Sequence, residues 1–171
     1  RGRVTLADPV GRHLPGLRAE IADRVTLHHL LTGTSGLDAP VPDWHRVFHS
    51  RAEVREWHQQ WVRQATPAGV PGAGSNGHLP GGGAGLAMAA LVVESVSGLT
   101  FWDYVHEHVF RRCGMRGSAY HTRQQWLTDE RIAHPYLAQA DGSLIDAVRH
   151  LDRGSVDPAI EGRNPGRGFL G

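Results

Sequence analysis

The sequence predicts a mostly helical fold with few strands, and three features carry that expectation. Apolar residues recur at helical spacing across residues 51–64, with Val54, Trp57 and Trp61 at i, i+3 and i+7. The run AGLAMAALVVESV, residues 84–96, is almost wholly apolar and reads as a core helix. Thr26 and Thr100 each stand before a further periodic segment, where a hydroxyl accepts from the free N–H groups of a first helical turn.

Taken in order, residues 1–25 read as a strand-poor lead-in, with turns marked by Asp8-Pro9 and Leu14-Pro15-Gly16. The stretch Val25–Leu37, VTLHHLLTGTSGL, organises the chain. Thr26 caps a short helix with the apolar face Leu27, Leu30 and Leu31, and Thr32, Gly33, Thr34, Ser35 and Gly36 end it in a tight polar turn. Asp38–Phe48 is loop, because Pro40 and Pro42 bias their neighbours to extended backbone. Ser50 and Glu53 form a capping box for the helix over 51–64, and Pro67 closes it. Residues 66–85, TPAGVPGAGSNGHLPGGGAG, are rich enough in glycine and proline for a flexible loop.

Gly98 follows the core helix in the position that favours glycine at a helix C-terminus. Thr100, with Asp103 three residues on, caps a helix that buries Phe101, Tyr104, Val105 and Val109 and stops at Gly114. Beyond Met115 the pattern weakens to a short strand over 117–122 and a hairpin turn at Asp141-Gly142. Residues 162–171 have no element of their own.

Composition narrows the function classes. A chain of 171 residues is long enough for a real core, and a formal net charge of +1 gives no strong pull toward nucleic acid or anionic membrane. No apolar run approaches the length of a membrane span, and no signal-peptide pattern precedes Arg1. The single cysteine, Cys113, excludes an internal disulfide framework and reads as a small apolar residue at a helix end. There is no lysine: all 18 basic side chains are arginine.

Four segments in order resemble the serine β-lactamase-related family, which includes class C β-lactamases, DD-peptidases and esterases. Val25–Leu37 resembles its "(I/V)T-hydrophobic-HLL-x-H-T-S-G-L" segment, and Gly2–Leu17 its "G-x-L-x-L-D-D-P-V-x-x-x-L-P" lead-in. Leu91–Gly98 with Thr100–Val105 resembles "hydrophobic-E-x-v-S-G-x-s-F-x-x-Y", and Phe110–Tyr120 resembles "F-x-P-L-G-M-x-x-T-x-F". The resemblance implies an α+β fold: the helical lobe of the β-lactamase/transpeptidase-like fold, with most of the antiparallel sheet missing and an apolar surface where that sheet docks. It covers residues 1–120 clearly as the helical lobe, and 121–171 loosely as the segment leading back to the sheet.

The family acylates a serine in a Ser-x-x-Lys turn, whose lysine lies one helical turn from the hydroxyl and helps take its proton. In family order that motif precedes the segment matched by Gly2–Leu17, so it falls upstream of Arg1, and a chain without lysine does not supply it. The family's Tyr-x-Asn loop has two placements here. Counting back from Glu94 without gaps gives Gly81, Gly82 and Gly83; matching "Y-S-N-x-G" with an insertion gives Gly74, Ser75 and Asn76. Neither contains a tyrosine, since the tyrosines are Tyr104, Tyr120 and Tyr136, and Gly33 replaces the histidine of the H-T-S-G turn. The closing His-x-Gly strand falls beyond Gly171. No catalytic residue is therefore assigned, and Ser75 and Asn76 are the candidates for substrate contact. The implied partner is a small-molecule amide or ester; without its nucleophile this chain is expected to be inactive alone, and a binding or regulatory module derived from the same lobe is the alternative.

Other constellations are weaker. Ser35 and Ser75 lack a Gly-x-Ser-x-Gly elbow, and ordinary turn serines are the preferred reading. Gly72, Gly74 and Gly77 match G-x-G-x-x-G without the strand and helix a dinucleotide site needs. His45 with His49, and His106 with His108, do not make an H-E-x-x-H zinc pattern, so solvated histidines are preferred and no metal or other cofactor is expected. Trp57 and Trp61 are read as core rather than as a ligand platform.

Overall fold

The computed structural model describes residues 2–39, 48, 50–73, 82–121, 123–134 and 136–146. Pro40, Pro42, His45, His49, Gly74, Ser75, Asn76, Gly77, Gly81 and residues 162–171 lie outside the described residues. The chain forms two compact units, one of residues 1–42 and 56–119, the other of 43–55 and 120–171. The fold is α+β and mostly helical, with two short two-stranded ribbons.

In the first unit a 3₁₀ turn, Val10–Arg12, leads to α1 (Ala19–Ala22) and α2 (Leu27–Leu31). The lead-in is tied to α2 through its backbone: Val10 N–H donates to the Val25 carbonyl at 2.8 Å, and Leu27 N–H to the Asp8 carbonyl at 3.1 Å. The 3₁₀ turn lies so close to α1 that a Cβ at Gly11 would meet the Ala22 Cβ at 2.6 Å. Leu27 and Leu30 are buried as expected, but Leu31 is 57% exposed. Leu31 sits about 100° further round the helix than Leu30, and α2 ends there.

α3 spans Arg51–Arg63, and the Ser50 hydroxyl accepts from the Glu53 N–H at 3.2 Å. Val54, Trp57 and Trp61 are buried, as the spacing predicts, and His58 is buried with them. The region expected to be loop from residue 66 instead opens with β2 (Thr66–Pro67), which pairs antiparallel with β1 (Leu37–Asp38) in the register Leu37↔Pro67 and Asp38↔Thr66. Pairing between segments this far apart in sequence has no local signature.

α4 runs from Gly82 to Ser97 and is the centre of the core, with Ala84, Ala87, Met88, Ala90, Leu91 and Val92 all buried. Gly98 ends it at φ +75°, its N–H donating to the Glu94 carbonyl at 2.9 Å. α5 (Phe101–Val105) is capped by Thr100, and Trp102 is its buried anchor. The expected face of Phe101, Tyr104, Val105 and Val109 is not the buried one, and Val109 is 42% exposed. The helix continues as a π turn, His106–Phe110, in which Arg111 N–H reaches back five residues to the His106 carbonyl at 3.0 Å. The wider turn rotates Val109 out of the α-helical register. Gly114, at φ +69°, ends it, and Cys113 beside it is exposed rather than buried.

No strand occupies described residues 117–121. The second unit contains α6 (Arg123–Thr128) and a hairpin of β3 (Tyr136–Ala138) and β4 (Leu144–Asp146). Asp141-Gly142 makes its turn as predicted, with Gly142 at φ +84° and the Asp141 carboxylate accepting from the Ser143 N–H at 2.9 Å.

Candidate functional site

The segment that leads toward Ser75 and Asn76 is laid along the polar turn after α2. Thr34 N–H donates to the His29 carbonyl at 2.9 Å, and the turn passes through Gly33 and Gly36 at φ +69° and +65°. Both Ala68 and Gly69 N–H groups donate to the Gly36 carbonyl, at 2.8 and 3.0 Å, and Gly72 N–H donates to the Thr34 carbonyl at 2.9 Å. A Cβ at Gly36 would lie 2.7 Å from the Gly69 carbonyl oxygen, so this close approach requires glycine as firmly as the backbone angle does. Residues 66–73 are therefore held by backbone bonds, independent of their side chains.

α4 closes the other side. A Cβ at Gly85 would lie 3.4 Å from the Leu30 carbonyl oxygen and 3.7 Å from the Ser35 hydroxyl, so the helix packs directly on the turn. Ser35 is 7% exposed and faces that glycine. Among the described residues no hydrogen bond joins its hydroxyl to an imidazole or carboxylate that would activate it as a nucleophile. In the ungapped placement of the Tyr-x-Asn loop, Gly82 and Gly83 form the first turn of α4. Among the described residues, a Cβ at Gly83 would meet Cη2 of Trp61 at 3.6 Å, an ordinary contact. Trp61 is itself held, its Nε1–H donating to the Ala39 carbonyl at 3.2 Å and its ring 5.3 Å from that of Trp57.

The remaining candidates are dispersed. His106 and His108 are exposed in the π turn, where the His108 ring packs 4.4 Å from that of Tyr104 and Glu107 pairs with Arg111 at 2.9 Å. Among the described residues no group of three or more His, Cys, Asp or Glu side chains is arranged to hold a metal ion. No single helix there is long and apolar enough to cross a membrane. Burial pushes the Tyr120 phenol up from its ordinary pKa, the opposite of what a proton-accepting tyrosine requires.

Three histidine arrangements were not legible beforehand. His29 completes the cap of α2: the Thr26 hydroxyl accepts from the His29 N–H at 3.3 Å, and the His29 Nδ1 accepts from the Thr26 N–H at 3.2 Å. A histidine three residues after a capping threonine, where glutamate or glutamine is usual, was the available signal. The second is Asp8, whose carboxylate accepts from the Thr5 N–H, the Thr5 hydroxyl, Arg12 and the buried His13 ring at 2.8 to 3.1 Å. The Thr5 N–H first, then the His13 ring and the Thr5 hydroxyl, hold the Asp8 carboxyl well below the usual carboxylate range. The third, in the second unit, pairs His134 with Asp146 at 2.7 Å.

The profile of the family described as Beta-lactamase matches residues 1–142. Penicillin-binding protein 4* of Bacillus subtilis strain 168 is 29% identical over 140 residues, a match spanning 78% of this chain and 28% of that protein. Among solved structures, a penicillin binding protein from Bacillus halodurans aligns with a TM-score of 0.67 at 30% identity, covering 93% of this chain and 45% of that one. A D-stereospecific amidohydrolase from Streptomyces sp. aligns with a TM-score of 0.60 at 20% identity, covering 94% and 49%, a likeness of fold alone. The chain thus spans less than half the length of each of these relatives.

Proposed function

The chain belongs to the beta-lactamase family, and we propose that it is part of a serine hydrolase of the penicillin-binding-protein kind, one that cleaves a small amide, β-lactam or ester through an acyl-serine. In this reading residues 1–120 are the helical lobe and 121–171 lead back toward the sheet. The match of the family profile across residues 1–142 is the observation that carries it. Its further support is that the turn after α2 and segment 66–73 are joined by backbone hydrogen bonds, with α4 packed on the same turn at Gly85. In family order either Gly74, Ser75 and Asn76 or Gly81, Gly82 and Gly83 correspond to the Tyr-x-Asn loop, and Asn76 is the side chain suited to orient a substrate amide.

These 171 residues do not catalyse by themselves, because acylation needs a serine with a base in reach and the sequence holds neither a lysine nor a Tyr-x-Asn. A fluorescent β-lactam and a fluorophosphonate, each incubated with the chain, should leave it unlabelled; stoichiometric covalent labelling of either kind would overturn this. The second reading is a non-catalytic binding or regulatory module. Its support is the closed packing of α2, α4 and α5 around Leu30, Met88, Leu91 and Trp102. Such a module unfolds cooperatively, whereas a lobe dependent on its missing sheet binds hydrophobic dyes under native conditions.

A further inference from the structure

The turn after α2 is engaged from two directions. From one side, the Gly36 carbonyl accepts from the Ala68 and Gly69 N–H groups at 2.8 and 3.0 Å, and the Thr34 carbonyl from the Gly72 N–H at 2.9 Å. From the other, α4 packs against α2 and β1, the two elements that the turn joins. Both placements of the Tyr-x-Asn loop, residues 74–76 and 81–83, fall between Gly72 and Gly85 in the sequence. One turn therefore holds the chain before and after them.

We propose that Gly36 is a positioning residue: it lets this turn hold both ends of the stretch between Gly72 and Gly85, and so sets where a substrate-orienting group on that stretch stands. What the stretch orients rests on the hydrolase reading; how it is held does not. Gly36 differs from its neighbours in where a methyl group would go. A Cβ there would lie 2.7 Å from the Gly69 carbonyl oxygen and 2.9 Å from its carbon, backbone atoms that yield only if the segment moves. Those atoms belong to a residue whose own N–H is bonded to the Gly36 carbonyl, so the clash acts directly on the anchoring bonds. Gly33 shares the left-handed backbone, at φ +69° against +65°, yet among the described residues a Cβ there would meet nothing within 4 Å. A Cβ at Gly69 would lie 3.8 Å from the Gly36 Cα, an ordinary contact, and Gly69 does not hold a positive φ. The requirement for glycine is thus one-sided, and it falls on the residue in the turn.

The test reads the hydrogen bonds themselves, as NMR couplings from donor nitrogen to acceptor carbonyl carbon in the chain labelled with ¹⁵N and ¹³C. The native chain should show couplings into the Gly36 and Thr34 carbonyls. Their absence while those within α4 are seen would overturn the proposal without any variant. G36A should lose them, exchange its Gly72 amide about fivefold faster, the factor expected for one lost hydrogen bond, and shift its Gly85 amide. Retained couplings would show that the close approach is not what anchors the segment, and an unmoved Gly85 amide that the turn holds one end alone; either result overturns the proposal. G33A and G69A should keep the couplings. Their loss in G33A would assign the effect to left-handed strain, and in G69A to bulk at either partner, and each would remove Gly36 from the positioning role even if G36A does not fold. No readout needs a bound substrate, so the anchor and the hydrolase reading stand or fall separately.

Discussion

Thr26 and Thr100 each open a five-residue α-helix, and each hydroxyl accepts from the N–H three residues on, at 3.3 and 3.2 Å. From there the two regions diverge. α2 buries Leu27 and Leu30 against α4, and its turn is bonded to segment 66–73 at three backbone positions. α5 buries Trp102, takes its entry angle from Glu94, which accepts the Phe101 N–H at 2.9 Å, and then widens into an exposed π turn. Equal caps do not make equal helices. What a short helix contributes depends on what covers it, because five residues are too few to be stable alone.

The largest test of this difference is truncation of the buried anchors. Leu30→Ala should cost about 2–5 kcal/mol and Trp102→Ala about 3–5 kcal/mol in denaturant unfolding, whereas Leu31→Ala should stay within about 0.5 kcal/mol. A Leu31→Ala cost as large as that of Leu30→Ala would mean that a surface covers α2 on the side exposed here. Next come the caps. Thr26→Ala and Thr100→Ala should each cost about 1 kcal/mol, but only Thr26→Ala should speed amide exchange at Gly72, because only α2 is tied to segment 66–73. Equal effects at Gly72 would erase the distinction between the two regions.

The smallest effect is silent at neutral pH. Asp8 has its carboxyl pKa depressed in the folded state, so its contribution to stability is complete above the unfolded value of about 4 and is lost as pH falls below that toward the folded one. Its carbonyl receives the Leu27 N–H at the start of α2. Acid should therefore weaken amide protection at Leu27 and His28 before Tyr104, and simultaneous loss would show that the Asp8 cluster is not specific to the α2 end.

Much of this was readable from residues alone, and the failures have physical reasons. The caps at Thr26, Ser50 and Thr100, the glycine ends at Gly98 and Gly114, and the Asp141-Gly142 turn are local chemistry, complete within a few residues. Leu31 and Val109 were expected inside and lie exposed. Periodicity names an apolar stripe, but not how wide a neighbour covers it, nor that a π turn will shift the register. The site was less legible than the fold. Glycine at 36 was readable as a turn former, whereas its contact with the Gly69 carbonyl joins segments that are far apart in sequence.

By itself, then, the sequence determined the family, the helical character and the ends of the helices, because these depend on residue type and short-range spacing. Only the tertiary structure decided which leucine is buried, that Leu37–Asp38 pairs with Thr66–Pro67, and that the Gly36 carbonyl accepts from Ala68 and Gly69. Each of those is a meeting of distant segments, selected by the packing of α4 against the turn after α2 and carrying no trace in either segment alone.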